Sequence, residues 1–220
     1  MAAKRKLRLG VLASGGGTNL QSLIEQCQAE QIDAEIVLVL SNNPTSGALQ
    51  RAEKAGLKHC CINHRDFTDR QSFDQAVVAA LIEAKVELVV LAGFMRIISE
   101  VFLAAFPQRI INIHPSLLPS FPGLHVQQKA LDYGARFSGC TVHFVDVGVD
   151  TGPIIAQAVV PILAGDSEES LSARILQQEH KLYPHAIQLI AEGRVSIEGR
   201  LVQITDAERN ETALINPPIA

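Results

Sequence analysis

The first half of the chain alternates short apolar runs with segments in which apolar residues recur at helical spacing. Short apolar runs are typical of buried strands, whereas apolar positions three or four residues apart are typical of amphipathic helices. We therefore predict strands at residues 7–13, 36–40, 58–62, 88–92 and 110–113. The patterns between them predict helices at residues 19–28, 45–55 and 70–84.

The predicted strands of this half have the composition of a parallel sheet. Four of them are nearly continuous apolar runs rich in Val, Ile and Leu, which indicates burial on both faces. Their alternation with helices is typical of strand–helix–strand units, in which helices cover a parallel sheet. We therefore predict an α/β fold.

The second half departs from this rhythm. Apolar runs at residues 141–147 and 154–160 are joined by a short loop rich in Asp and Gly, a spacing that predicts an antiparallel strand pair. A long helical pattern follows at 167–192, with Asp166 in position to cap its first turn and Gly193 in position to end it.

The last residues contain a weak strand pattern at 201–204 and an irregular tail. The chain has no internal repeat, no low-complexity tract and no linker rich in Pro or Ser. We therefore expect a single domain over residues 1–220.

Composition and charge narrow the class of protein. The chain is 47% hydrophobic and 19% charged, which predicts an ordered core. Its net charge of −4 argues against a nucleic-acid partner, which would require clustered Lys and Arg. The basic run at residues 4–6 is interpreted as a solvated tail. No run approaches the roughly 18 apolar residues that span a bilayer, so no membrane association is expected.

The cysteines give no sign of a metal site. Cys27, Cys60, Cys61 and Cys140 include no Cys-x-x-Cys pair, and no nearby histidine completes a zinc pattern. We expect buried, reduced thiols in a cytoplasmic protein, with the neighbours Cys60 and Cys61 on opposite faces of their strand.

A glycine loop at residues 14–19 follows the first strand and opens the first helix. Its Gly15, Gly16 and Gly17 allow the backbone N–H groups to be exposed beside the positive end of a helix, which favours phosphate binding. The spacing matches neither the dinucleotide-binding pattern nor a Walker loop. A plain strand-to-helix turn is the alternative, and Thr18 is in position to cap the helix in either case.

Polar residues also follow the fifth strand. Asn112 and His114 are two residues apart, so their side chains point to the same face of a strand. Pro115 then prevents continuation of the ladder. A second loop supplies Asp150. The carboxyl edge of a parallel sheet is where open α/β sheets bind ligands, although a strand-end histidine and turn-forming Asn and Asp remain the alternative interpretation.

This trio suits acyl transfer to an amine, in which a carbonyl oxygen gains negative charge and the amine loses a proton. Asn112 would donate to the oxygen, and a protonated His114 would donate a stronger charge-assisted bond. Asp150 would stabilise the imidazolium or accept the proton of the amine. His143 is either a supporting group that orients Asp150 or a strand histidine without a chemical role.

Motifs along most of the chain resemble the folate-dependent formyltransferase family. They lie, in the family's order, at residues 14–21, 91–98, 112–119, 122–125, 142–144, 150–153 and 178–180. The Asn-x-His-Pro-Ser-Leu-Leu-Pro block at 112–119 is highly specific for this family. The glycine loop and the Gln-Glu-His triplet at 178–180 are similar to its glycinamide ribonucleotide branch.

The resemblance implies transfer of the formyl group of 10-formyltetrahydrofolate to the amine of N1-(5-phospho-D-ribosyl)glycinamide, through a tetrahedral intermediate, in de novo purine biosynthesis. It implies a Rossmann-like, mostly parallel sheet and supports Asn112, His114 and Asp150 as catalytic. It places substrate phosphate and sugar on Gly17, Thr18, Asn19 and Glu179. It places the folate along Arg70, Met95, Arg96, Ile97, Ile98 and Asn112.

The resemblance also divides the expected domain into a nucleotide-binding half at 7–113, a folate and catalytic half at 114–193, and an extension at 194–220 without a motif. The expected partners are small molecules, in the cytoplasm and without a metal, and a homodimer is compatible with the sequence. From the residues alone, the segment 95–98 fits ordinary core equally well.

Departures from the family are modest, since Gly16 and Thr18 stand where many members carry Asn and Ser, and Thr141 stands where Ser is frequent. Three alternatives are weighed. A formyltransferase acting on methionyl-tRNA would add a C-terminal RNA-binding domain, and a formyltetrahydrofolate hydrolase would add an N-terminal one; we expect neither here. A non-catalytic nucleotide-binding protein would not require the Asn, His and Asp together.

Overall fold

The computed structural model describes residues 5–207 and 212–217. Its strands are β1 (Leu7–Leu12), β2 (Ala34–Ser41), β3 (His59–Cys61), β4 (Leu88–Leu91), β5 (Ile110–His114), β6 (Phe137–Phe144), β7 (Ile154–Pro161), β8 (Val195–Glu198) and β9 (Leu201–Ile204). Its helices are α1 (Thr18–Gln28), α2 (Gly47–Lys54), α3 (Arg70–Glu83), α4 (Glu100–Ala105), α5 (Val126–Tyr133) and α6 (Glu168–Ala191).

The central sheet has the strand order β3-β2-β1-β4-β5-β6-β7. Strands β1 to β5 are parallel, whereas β6 pairs antiparallel with β5 and β7 antiparallel with β6. Strands β8 and β9 form a separate antiparallel pair. The predicted α/β class is confirmed: a Rossmann-like, mostly parallel sheet with an antiparallel pair in the second half.

Helices cover both faces of this sheet, and each face has its own apolar core. Leu20 of α1 and Tyr183 of α6 belong to the core on one side, and Phe73 of α3 and Phe102 of α4 belong to the core on the other. All four residues of β4 are buried, as the unbroken apolar runs predicted. The hydroxyl of Tyr183 donates to the carbonyls of Leu91 and Ile111, which anchors α6 to β4 and β5.

The two predicted helix caps are wrong by one residue. Helix α6 is capped by Ser167, whose hydroxyl accepts from the Ser170 N–H in a reciprocal capping box. Asp166 instead accepts from the Leu163 N–H and binds Arg174. At α1 the cap is Gly17, with a φ of 73°, and Thr18 is the first helical residue.

Strand β6 was misplaced in the prediction because its first half carries little apolar signal. It begins at Phe137 rather than at 141, and Ser138 and Gly139 lie in it. A Cβ at Gly139 would lie 1.9 Å from the Ala158 carbonyl oxygen, so the close approach of β7 requires glycine there. The strand ends at Phe144 because Asp146 accepts from the Gly148 N–H in a turn.

The cysteine expectation is wrong for Cys61. Its side chain is exposed because β3 lies at the edge of the sheet, whereas Cys140 is buried in the core. Among the described residues, no helix has both the length and the apolar character needed to cross a membrane.

Candidate active site

A cavity of about 820 Å³ opens at the carboxyl ends of β4 and β5. This edge is where the strand order of an open α/β sheet places ligands. Predicted site residues that line the cavity are Arg70, Met95, Arg96, Ile97, Ile98, Asn112, His114, His143 and Asp150. Three elements, α3, β5 and β6, and two loops, one after β4 and one after β6, thus contribute these residues to one volume.

Asn112 and His114 reach the cavity side by side because they alternate with buried isoleucines along β5. The antiparallel register then pairs Asn112 with His143 on β6. Nδ2 of Asn112 lies 3.2 Å from Nε2 of His143. Cross-strand neighbours share a face of the sheet, so His143 is brought to the same side as the two predicted groups.

The partners of His143 fix the direction of the Asn112 amide. Nδ1 of His143 donates to the Phe144 carbonyl at 2.8 Å, which leaves Nε2 as an acceptor in the neutral ring. Burial lowers the pKa of His143, although the hydrogen bond to Phe144 opposes the shift. Asn112 therefore donates one amide hydrogen to His143, and its second amide hydrogen is available to a ligand.

Asp150 reaches this cluster from the loop between β6 and β7, in the left-handed backbone region at a φ of 55°. Its Oδ2 accepts from the Gly123 N–H at 2.8 Å and lies 3.5 Å from Nδ1 of His114. Its Oδ1 lies 3.8 Å from Nε2 of His143. The carboxylate is 12% exposed, so its charge acts on the imidazoles with little screening by water.

Both ring nitrogens of His114 face oxygen atoms. Nδ1 faces Asp150, and Nε2 lies 3.0 Å from the Phe121 carbonyl. A doubly protonated ring satisfies both oxygens, whereas the neutral ring satisfies one. The 3.5 Å separation from Asp150 is an ion-pair distance and too long for a strong hydrogen bond.

The arrangement supplies the groups that acyl transfer to an amine requires. Asn112 and His114 are donors for an oxygen that gains negative charge, and Asp150 places a carboxylate oxygen 3.5 Å from Nδ1 of His114. In the part of the chain that the structure describes, no three His, Cys, Asp or Glu side chains come together as metal ligands.

The glycine loop lies beside this cavity. The Ser14 N–H donates to the Gly93 carbonyl at 3.0 Å, and the Met95 N–H donates to the Ser14 hydroxyl at 2.8 Å. These bonds join the loop to the segment 93–98 that forms one wall of the cavity.

Next to the glycine loop, Asn19 of α1 contacts Glu179 of α6. Nδ2 of Asn19 donates to Oε2 of Glu179 at 2.8 Å, and Oδ1 of Asn19 is buried without a partner in the described residues. Glu179 is 6% exposed, and burial raises its pKa, although the bond from Asn19 opposes the shift. The pair joins α1 to α6. Its residues lie 160 positions apart in the sequence, so no local pattern predicts their contact.

The apolar wall of the cavity is not core throughout. Met95 and Ile97 are 63% and 57% exposed, whereas Phe94 and Ile98 are buried. Arg70 also lines the cavity, at the first position of α3. The alternative that this segment is ordinary core is therefore wrong for Met95 and Ile97.

Sequence reasoning missed several groups at the site. Gly123 and Phe121 act through their backbone N–H and carbonyl, which leave no side-chain signature. The cavity is also lined by Phe94, Leu124, His125, Val126, Gln127, Val145, Asp146, Gly148 and Val149. The Pro-Gly-Leu-His motif at 122–125 and the Asp/Gly loop at 146–150 were the available signals.

Together, the fold and the site define an α/β protein with a polar cluster of Asn, His and Asp in a cavity at the carboxyl edge of its sheet. Residues 7–187 match the formyl transferase family, and the chain belongs to that family. The resemblance noted from the motifs is thereby confirmed.

Individual relatives narrow the similarity. The chain is 41% identical over 191 residues to the phosphoribosylglycinamide formyltransferase of Escherichia coli (strain K12), covering 87% of this chain and 90% of that protein. It is 49% identical over 199 residues to the trifunctional purine biosynthetic protein adenosine-3 of Drosophila melanogaster. That alignment covers 90% of this chain and spans 15% of the relative's length.

A solved structure shows the same likeness. The crystal structure of glycinamide ribonucleotide transformylase 1 from Symbiobacterium toebii superposes with a TM-score of 0.91 at 49% sequence identity. The match covers 92% of this chain and 95% of that chain.

Proposed function

We propose that the protein transfers the formyl group of 10-formyltetrahydrofolate to the amine of N1-(5-phospho-D-ribosyl)glycinamide, a step of de novo purine biosynthesis. The observation that carries the proposal is the convergence of Asn112, His114 and Asp150 on one cavity beside a glycine loop. The name of the Escherichia coli relative, a phosphoribosylglycinamide formyltransferase, supports the choice of the amine substrate and of a formyl group as the group transferred.

We assign the ribonucleotide to the glycine loop. Gly17, Thr18 and Asn19 lie at the N-terminus of α1, where free N–H groups and the helix dipole favour a phosphate. Glu179 is held by Asn19 and is assigned to the sugar hydroxyls, which a carboxyl group can bind as an acceptor.

We assign the folate to the cavity wall. The cavity volume of about 820 Å³ lies within the range of sites for drug-sized ligands. Met95 and Ile97 present apolar surface for a flat ring, beside Arg96 and Ile98. Arg70 supplies a cation for the carboxylates of the folate's glutamate. The bound folate supplies the formyl carbon that reacts.

In this mechanism Asn112 donates its free amide hydrogen to the formyl oxygen, on which negative charge develops. His114 donates a second bond through Nε2, and Asp150 stabilises the protonated ring. Because Nε2 is directed at the Phe121 carbonyl, this role requires that the hydrogen be shared with the substrate oxygen or that the carbonyl move aside. Asp150 is also placed to accept the proton that the amine loses when its nitrogen bonds to the formyl carbon. The bond between that carbon and the folate nitrogen would then break, and tetrahydrofolate would leave with a proton on that nitrogen.

We also propose that the protein is located in the cytoplasm. The described cysteines Cys27, Cys60, Cys61 and Cys140 are all free thiols, as is usual in a reducing compartment.

The test is formyl transfer by purified His114→Ala and Asp150→Asn variants, with binding of both substrates measured separately. Removal of one donor to a developing oxyanion typically costs on the order of 10²–10³ in kcat, and we expect losses of that size with binding retained. His59→Ala, an exposed histidine of β3, is the matched control. Variants that bind both substrates and turn over like the wild type would refute the mechanism.

A further inference from the structure

Helix α2 holds the carbonyl groups of the glycine loop from one side. The backbone N–H of Ala48 donates to the Gly15 carbonyl at 3.1 Å, and Nε of Arg51 donates to the Gly16 carbonyl at 2.8 Å. Arg51 is itself anchored, because its Nη1 donates to Oε1 of Gln21 on α1 at 3.2 Å. Two successive peptide groups of the loop are thus tied to α2.

These ties set the direction of the loop's N–H groups. A trans peptide group points its N–H opposite to its carbonyl. Holding the Gly15 and Gly16 carbonyls toward α2 therefore turns the N–H groups of Gly16 and Gly17 away from α2. Within residues 5–207 and 212–217, neither N–H donates to a protein acceptor. They remain available to an anion at the N-terminus of α1.

The two ties differ in kind. The Gly15 carbonyl is held by a backbone group, the N–H of Ala48. The Gly16 carbonyl is held by a side chain, while a Cβ at Gly16 would meet nothing within 4 Å. The Gly16–Gly17 peptide group packs against α2, since a Cβ at Gly17 would lie 2.8 Å from Cα of Ala48 and a Cβ at Gly47 would lie 3.0 Å from the Gly16 oxygen. Among the described residues, Arg51 is the hydrogen-bond donor to that oxygen, so it fixes the direction of the carbonyl within this contact.

We propose that Arg51 is a positioning residue for substrate phosphate: by holding the Gly16 carbonyl, it aims the Gly17 N–H at the phosphate of the ribonucleotide. This inference rests on the proposed function, which assigns that phosphate to the glycine loop. The effect is directional and does not depend on the charge of the guanidinium.

Three substitutions separate direction from charge. Arg51→Met removes both the donor and the charge. Arg51→Gln keeps an N–H at the same number of bonds from Cα as Nε and removes the charge, whereas Arg51→Lys keeps the charge with its donor one bond further away. Lys54→Met is the matched control, since Lys54 is an exposed cation on the same helix.

The measurement is the Kd of each variant, by titration calorimetry, for the ribonucleotide and for the same compound without its phosphate. The net value of one hydrogen bond predicts that Arg51→Met weakens binding of the phosphorylated compound by roughly three- to tenfold. Binding of the compound without phosphate should stay at the wild-type value. Arg51→Gln should restore most of the lost affinity, and Lys54→Met should match the wild type.

Each other outcome overturns the inference. If Arg51→Lys binds like the wild type while Arg51→Gln is as weak as Arg51→Met, charge rather than orientation is responsible. Equal losses for the two compounds would show a general structural role. A wild-type protein that binds both compounds equally would refute the phosphate assignment itself, and with it the part of the proposed function on which the inference rests.

Discussion

His143 and Glu179 are buried ionisable residues whose pKa values shift in opposite directions. Burial lowers the pKa of His143 and raises the pKa of Glu179, and both shifts favour the uncharged side chain. For His143 this has a chemical consequence. The neutral ring keeps Nε2 free to accept from Asn112, which directs the other amide hydrogen of Asn112 toward the cavity.

For Glu179 the shift predicts a cost to stability. Because the pKa of the folded state lies above that of the unfolded state, the folded protein binds this proton more tightly. The ionised carboxylate therefore destabilises the fold above its folded-state pKa, and the cost disappears as the pH falls below the unfolded value. Glu179→Gln keeps an oxygen that can accept from Asn19 but carries no charge.

We expect Glu179→Gln to raise the free energy of unfolding at pH 8 by about 1 kcal/mol, a typical size for one substitution. The gain should vanish at acid pH, where both proteins are uncharged at this position. Urea denaturation over a series of pH values measures the difference, with the exposed Glu53→Gln as control. A variant that is less stable at pH 8, or a gain that does not change with pH, would show that burial of this carboxylate is not the cause.

The spacing of polar residues along the sequence predicted part of the site but not all of it. Asn112 and His114 share a face by strand geometry alone, which needs no tertiary knowledge. The partnership of Asn112 with His143 depends on the register of β5 against β6, which no local pattern encodes. The bond from the Gly123 N–H to Asp150 joins two loops through a backbone group.

The connection between β1 and α1 shows how one loop can contain glycines with different roles. Gly17 has a φ of 73° and lies against α2, so a side chain there is both strained and crowded. A Cβ at Gly16 would meet nothing within 4 Å. We therefore expect Gly16→Asn to bind both substrates normally.

Gly17→Val should weaken ribonucleotide binding by at least tenfold, or about 1.4 kcal/mol, because it displaces the loop from α2. Folate binding should change much less, since the folate is assigned to the segment 95–98. Separate Kd values for the two substrates provide the measurement. Equal losses at both sites would indicate misfolding, and an Asn at position 16 that behaves like Val at position 17 would contradict the distinction between the two glycines.

Length and periodicity decided which elements could be predicted. Helix α3 matches its prediction within one residue, because its apolar positions recur over four turns. Helices α4 and α5, of six and eight residues, were missed, whereas α2, also of eight residues, was predicted between the turn residues 41–44 and Gly56. Strand β8 was also missed, although its partner β9, which likewise has four residues, was predicted.

At the scale of the whole molecule, one continuous sheet assembles the site. Asn112 and His114 come from the last parallel strand, and Asp150 comes from the loop that follows the first antiparallel one. The predicted boundary between the halves 7–113 and 114–193 falls inside β5. Both halves contribute strands to the same sheet. The division into halves stays a prediction.

The central claim is that His114 and Asp150 act as one catalytic unit. Single-turnover formyl transfer by His114→Ala, Asp150→Asn and the double variant tests it most directly, since groups that act together have non-additive effects. We predict that the double variant is about as slow as the slower single variant. Rate losses that multiply in the double variant would mean that the two residues act independently and would contradict the account.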